Sequence, residues 1–233
     1  RYDGPMGKSD RAAAVGGTLF SEGDGWAIEP EGNGFRWQSN SGSITEALEP
    51  RMAGLHQMRN AGLAIAMLDI APGPRPGEAA IAAGVSAAFW PGRMQKLGPG
   101  PLTALVPGSR EIWLDGGHNP AAGRALADTF RATAAGRPLH LVVGMLSTKD
   151  LAQFLSPLAP LTRSLRFVPV PDEPLGRDPE ASAATARALG AQAVAAPSAL
   201  AAVRAIIASE APPYDLLVCG SLYLAGSVLR EHG

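Results

Sequence analysis

From residue 102 to its end the sequence repeats one pattern: a short apolar, β-rich run, a stop at Gly or Pro, and then an Ala-rich stretch suited to a helix. That alternation leaves few folds open, because strands joined through helices lie parallel and bury both faces of their sheet. The candidate strands are 102–106, 111–114, 139–143, 165–170, 191–195 and 216–219, and the candidate helices are 121–134, 151–158, 179–189, 199–209 and 222–231. The expected class is α/β, with a Rossmann-like, mostly parallel sheet. Ligands of such sheets sit where strands end and loops begin. The loops to watch are therefore 115–120, 144–150 and 220–223.

The N-terminal part reads differently. Residues 14–20, 26–29 and 35–38 are short β-like runs separated by Gly23, Gly25, Gly32 and Gly34, a pattern of antiparallel hairpins. Residues 55–70 hold Ala, Met, Leu and Ile with hardly a charge and stop at Ala71-Pro72-Gly73-Pro74, as a largely buried helix would. Met52, Met58 and Met67 fit there as core filling. A second helix is expected from Pro76 to 89, ending at Trp90-Pro91-Gly92, which places a domain boundary within 90–95.

Composition removes several classes of function. A net charge of −1 without any Lys/Arg run argues against a nucleic-acid partner, which needs clustered cations. The single cysteine, Cys219, sits in an apolar run, so neither a disulfide framework nor a zinc cluster is expected. His56, His140 and His232 share no metal-ligand spacing, and no metal site is expected from this chain alone. No apolar stretch approaches the roughly 20 residues of a membrane span, and a reduced, cytoplasmic, soluble protein is the expectation. A first residue of Arg1, followed by a polar segment, suggests a piece of something longer.

Two strings invite a phosphate. Gly7-Lys8-Ser9 has the ending of a phosphate-cradling loop, but Tyr2 stands where its first glycine belongs and Pro5 removes a backbone N–H. The turn Asp115-Gly116-Gly117-His118-Asn119-Pro120 is stronger, since it follows a strand and opens a helix. In it Asp115 suits a nucleotide or its metal, the glycines admit a ligand close to the backbone, and His118 and Asn119 present donors. A plain turn with Asn119 as helix cap explains the same letters.

The segment WLDGGHNP, preceded by WPGRMQ, resembles the folylpolyglutamate/dihydrofolate synthase family, whose signature is an Asp-Gly-Ala-His-Asn-Pro turn downstream of a Pro-Gly-Arg stretch. Further matches follow in order: Leu55-His56-Gln57 with Asn60-Ala61, Lys149-Asp150, and Gly220-Ser221-Leu222-Tyr223. Gly117 departs from the family's alanine. The resemblance implies that residues 1–91 are the β-hairpin and helical tail of a Mur-ligase-type central ATPase domain, and that 92–233 form the C-terminal glutamate-ligase domain.

It further implies ATP-dependent joining of L-glutamate to dihydropteroate or folate through an acyl phosphate, with Mg2+ ligands and the phosphate loop in an N-terminal region that this chain lacks. Asn60, Arg93 and Asp115 would contact ATP. His118 and Ser221 would be catalytic, and with Lys149 would meet the glutamate. Asp150 reads better as part of a helix start. The parent would be a monomer, and the chain alone inactive. Two alternatives stand beside this: a catalytically silent nucleotide-binding adaptor, and the C-terminal region of a Mur-type ligase of peptidoglycan precursors.

Overall fold

Trp26, Phe35, Trp37 and Leu48, all buried, are the side chains on which the N-terminal residues fold. The computed structural model describes residues 7–106, 111–133, 136–209 and 213–232, so Tyr2, Pro5 and Ala134 lie outside the described residues. The chain divides into two compact units, Arg1–Arg51 with Leu55–Phe89, and Met52–Gly54 with Trp90–Gly233.

In the first unit, α1 (Lys8–Ala14) precedes β1 (Trp26–Glu31), β2 (Gly34–Ser39) and β3 (Ile44–Leu48), an antiparallel sheet in the order β1-β2-β3. α2 (Leu55–Ile70) lies on that sheet at Gly62, where a Cβ would stand 2.7 Å from Ile28 Cγ2 and 2.8 Å from Trp26 Cζ3. Only a glycine permits so close an approach. Ile65 and Ala66 then meet Ile81 and Val85 of α3 (Glu78–Ala87) in one apolar cluster with the sheet. Arg75 pairs with Asp69 at 3.2 Å and lies 5.5 Å over the Trp37 ring.

Two expectations fail here, and one strand was not foreseen. Residues 14–20 are not a strand: Ala12 to Ala14 end α1, and Gly16 at φ +67° turns the chain, Gly17 N–H reaching Ala12 O at 2.8 Å. α3 begins at Glu78 and not at Pro76, because the capping Gly77 is extended, at φ −65° and ψ 158°. β3 has too mixed a composition to stand out, and pairing with β2 defines it.

The second unit holds a six-stranded sheet. Its elements are β4 (Gln95–Lys96), β5 (Ile112–Asp115), α4 (Pro120–Thr133), β6 (Leu139–Val143), α5 (Leu151–Leu155), β7 (Thr162–Phe167), α6 (Pro179–Ala188), β8 (Ala193–Ala195), α7 (Ala199–Ser209), β9 (Asp215–Cys219) and α8 (Leu222–His232). The strand order is β4-β5-β9-β6-β7-β8, parallel except for β4. The mostly parallel α/β class is thus the observed one. Alternate strand residues divide between two cores: Leu141, Val143, Leu217 and Cys219 pack with α4, α5 and α6, while Val142, Leu216 and Val218 pack with α7 and α8. All five residues of β6 and of β9 are buried, as central parallel strands require.

Residues 102–106, expected as a strand, form a 3-10 turn at Thr103–Leu105. The Thr103 hydroxyl accepts the Gly100 N–H and donates to Gly98 O, each at 2.9 Å, and this closed loop competes with extension. β4 is a two-residue antiparallel edge, too short to leave a pattern. α5 stops at Leu155, short of 158, and a second 3-10 turn, Ala159–Leu161, leads into β7 at Thr162, whose partner Leu139 starts β6. Among the described residues no helix is long and apolar enough to cross a membrane.

Candidate functional site

The ends of β5, β9 and β6 lie side by side, with Asp115 paired to Cys219 and Cys219 to Val143. Three of the loops singled out in the sequence therefore leave neighbouring strands at one edge of the sheet. Chain direction decides this: parallel strands put all their C-terminal ends on the same side.

Asp115 is buried at the end of β5. Its Oδ2 accepts the Met94 N–H at 2.8 Å and its Oδ1 accepts the Gly117 N–H at 2.6 Å. Gly116 N–H donates to Gly92 O at 2.7 Å. The signature turn and the Pro91-Gly92-Arg93-Met94 loop are thereby stitched together through backbone. The loop is bent to reach: Gly92 has φ +67° and Met94 φ +41°, a conformation uncommon outside glycine. Gly92 N–H in turn donates to Gln95 Oε1 at 2.9 Å.

Gly116 faces Leu222 at the start of α8 and Arg93. A Cβ there would stand 2.2 Å from Leu222 Cδ2 and 3.0 Å from Arg93 Nη1. A Cβ on Gly117 would meet Ala122 Cβ and Asp115 Oδ1 at 2.8 Å each, so the glycine at this signature position fits a tight space. Arg93 is partly exposed and pairs with no carboxylate among the described residues.

His118 is partly exposed, and its Nδ1 lies 2.9 Å from Gly116 O. A carbonyl only accepts, so this contact assigns the proton to Nδ1 and turns Nε2 to other partners. Asn119 caps α4, its Oδ1 accepting the Ala122 N–H at 2.9 Å. Ser221 caps α8 in the same way: its buried Oγ accepts the Tyr223 N–H at 3.1 Å. Two helix N-termini therefore flank the turn, each with backbone N–H groups and the positive end of its dipole.

Lys149 sits on the loop after β6, where its N–H donates to Leu146 O at 3.1 Å and its carbonyl accepts Arg177 Nη2 at 3.4 Å. Asp150 is the cap of α5, accepting the Gln153 N–H at 2.9 Å. Asn60 is exposed on α2 of the first unit, its Nδ2 donating to Gln57 Oε1 at 3.1 Å. The structure thus brings Arg93, Asp115, His118 and Ser221 to one edge of one sheet, with Lys149 on the next strand's loop.

Met94, Gln95 and Leu222 escape a residue-by-residue reading. They stand inside the recognised strings, but no role was read for them there. Burial pushes the Cys219 thiol up from its ordinary range, and the adjoining Asp115 carboxylate adds to this, so the sulfur at the strand end is a protonated, apolar filler. No cluster of three or more His, Cys, Asp or Glu suited to a metal occurs among the described residues.

The model of the family described as Mur ligase, glutamate ligase domain, matches residues 92–222. A probable bifunctional folylpolyglutamate synthase/dihydropteroate synthase of Halobacterium salinarum is 34% identical over 178 residues, which are 76% of this chain and 20% of that protein. The folylpolyglutamate synthase of Lacticaseibacillus casei is 26% identical over 234 residues, covering 94% of this chain and 51% of its own length. Among solved structures, E. coli FolC in complex with DHPP and ADP superposes with a TM-score of 0.78 at 25% identity, over 95% of this chain and 49% of that one. The bifunctional folylpolyglutamate synthase/dihydrofolate synthase of Yersinia pestis, complexed with AMPPNP and Mn ion, gives 0.78 at 28% identity, over 98% and 51%. The chain therefore spans between 20% and 51% of the curated relatives it matches.

Proposed function

This chain belongs to the Mur ligase family through its glutamate ligase domain, and from that membership we propose that it is the nucleotide- and glutamate-facing part of a folylpolyglutamate/dihydrofolate synthase. The reaction is the ATP-dependent addition of L-glutamate to a folate or dihydropteroate carboxylate through an acyl phosphate. The observation that carries the reading is the Asp115–Asn119 turn set between two capped helix starts and beside Arg93. ATP with Mg2+ supplies the phosphoryl group that activates the carboxylate.

The residues present suit that task. Arg93, a cation without a carboxylate partner among the described residues, offers a fork of donors to phosphate oxygens. Asp115 holds the turn together through Met94 and Gly117, and a nucleotide contact at this position is the role the ligase reading gives it. His118 Nε2 and the start of α8 at Ser221 face an incoming anion or amine, and Lys149 offers a charge for the glutamate carboxylate. Asn60 would add a nucleotide contact. Residues 1–91 are assigned to a central ATP-binding domain and 92–233 to the C-terminal domain, in a cytoplasmic, monomeric parent whose magnesium ligands lie outside this chain.

Two measurements test this. Calorimetric titration with ATP should show binding to the full chain that Arg93→Ala weakens at least several-fold, and absence of any binding would overturn the reading. Assay of ATP-dependent glutamate addition should show no turnover by the chain alone. Robust turnover would contradict the placing of the phosphate loop and metal ligands elsewhere.

A further inference from the structure

The chain between β7 and α6 doubles back along the loop that follows β6, turning at Asp172, whose φ is +59°. Leu146 and Gly176 form an antiparallel bridge there, and Ser147 N–H donates to Leu175 O and Arg177 N–H to Met145 O, each at 2.8 Å. On its other side the β6 loop is joined to the end of β9: Gly144 N–H donates to Cys219 O at 3.1 Å, and a Cβ on Gly220 would stand 2.8 Å from Gly144 O. Arg177 therefore stands at the sheet edge that holds Asp115 and Ser221, one loop further along. Its guanidinium is poorly satisfied. Nη2 donates to Lys149 O at 3.4 Å, Nη1 makes no hydrogen bond among the described residues, and Nε is buried without a partner. Native structures keep few buried polar groups in that state, and each calls for an explanation. Neither Arg177 nor Lys149 pairs with a carboxylate among the described residues. The acids next to them in the chain are committed to backbone: Asp150 accepts Gln153 N–H at 2.9 Å, Asp178 accepts Ala181 N–H at 2.7 Å, and Glu173 accepts Leu175 N–H at 3.2 Å. Two cations thus stand on adjoining loops while the neighbouring acids serve helix starts and a turn.

We propose that Arg177 is a specificity residue of this site, binding the side-chain carboxylate of the incoming L-glutamate while Lys149 holds the other carboxylate. The identity of the ligand rests on the ligase reading, and the charge count of the reaction carries the assignment. L-glutamate attacks through its amine, so the amine is not available as an anchor and the two carboxylates must hold the molecule. Each is a full negative charge leaving water, which is costly without a cation or several donors. Arg93 is assigned to phosphate, and Lys149, a single ammonium, neutralises one carboxylate. Arg177 supplies the second cation, and its planar fork matches a carboxylate bidentately. An amide in the same place fits badly: L-glutamine carries no charge there and sets NH2 donors against guanidinium donors. Lys149 and Arg177 together therefore select a dicarboxylate.

Calorimetric titration of the full chain with L-glutamate and with L-glutamine tests this. The unaltered chain should bind L-glutamate and prefer it to L-glutamine by about tenfold or more, the scale of one hydrogen bond to a charged group. Arg177→Ala and Arg177→Gln should each weaken L-glutamate binding by a similar factor and abolish the preference, while Arg177→Lys, which keeps the charge, should retain part of both. Arg204→Ala, a cation on α7 outside these loops, should change neither. Circular dichroism melts of the variants should stay close to that of the unaltered chain, since the backbone bond of Arg177 to Met145 survives every substitution. Three results overturn the proposal: no L-glutamate binding by the unaltered chain, an affinity untouched by Arg177→Ala, or a loss shared equally by both amino acids with the preference intact, which would make Arg177 a brace for the Lys149 loop. ATP titration of the same proteins keeps the two readings apart. ATP binding without L-glutamate binding would sink the role of Arg177 and leave the nucleotide reading standing. Arg177-dependent L-glutamate binding without ATP binding would do the reverse.

Discussion

Asp115 Oδ2 accepts the backbone N–H of Met94 at 2.8 Å, joining residues 21 positions apart inside a buried edge of the sheet. Its other oxygen holds Gly117 N–H at 2.6 Å. Asp115→Ala would leave both donors without this acceptor, and a buried unpaired group costs about 1–3 kcal/mol. Urea unfolding should show a loss of about 3 kcal/mol, with Asp115→Asn losing less because its carbonyl oxygen still accepts. A stability equal to that of the unaltered chain would mean the contact does not organise the loop.

Gly116 is required by packing against a neighbour that can itself be trimmed. Gly116→Ala places a methyl 2.2 Å from Leu222 Cδ2, and overpacking of this sort costs about 1–3 kcal/mol. In the Gly116→Ala/Leu222→Ala double variant the clash is removed, so the two effects should be clearly non-additive in a double-mutant cycle. Simple additivity would assign the cost to backbone and not to Leu222.

Asn119 separates stability from binding. Asn119→Ala should cost about 1 kcal/mol as a lost helix cap, whereas Asn119→Asp keeps the acceptor for Ala122 N–H and the stability with it. The added negative charge beside the proposed phosphate position should nevertheless weaken ATP binding several-fold in calorimetry. If Asn119→Asp binds ATP as tightly as the unaltered chain, the phosphates do not approach this helix start.

Cys219 is buried and its thiol is pushed up by burial and by Asp115. The thiolate is the reactive form, so a thiol reagent should label the native chain no faster than the chain unfolds, and rapidly in denaturant. Fast labelling of folded protein would contradict the packing at the end of β9.

The Asp215 carboxyl is raised above its ordinary 3.8, chiefly by burial, and Arg137 at 3.2 Å only partly offsets this. The folded state therefore holds this proton more tightly than the unfolded chain. The stabilisation that follows is complete below pH 3.8 and is lost as pH rises through the folded value. Measured from pH 3 upward, roughly across the carboxylate range, the stability of the unaltered chain should fall relative to Asp215→Asn and then level off. A difference that grows in the opposite direction would show that Arg137 dominates.

Much of this was legible in the chain's letters. Alternating apolar runs and helical stretches foretold the parallel sheet, because strand burial on two faces leaves a continuous apolar signal, as in β6 and β9. The Asp115–Pro120 string and its companions foretold the family. What failed was local: at Thr103 a hydroxyl closes a turn over an apolar run, and at Gly16 a positive φ breaks an extended one. Such outcomes hang on single hydrogen bonds or torsions that composition averages away.

By itself, then, the sequence determined the fold class, the family and the strand ends at which a site would be sought. Only the tertiary structure decided that Asp115 spends its carboxylate on Met94 and Gly117, that Leu222 demands a glycine at 116, and that Arg177 lies against the carbonyl of Lys149. The reason is physical: periodicity and turn chemistry act between near neighbours, while these contacts join segments that meet only after the strands have paired and the helices have chosen their faces.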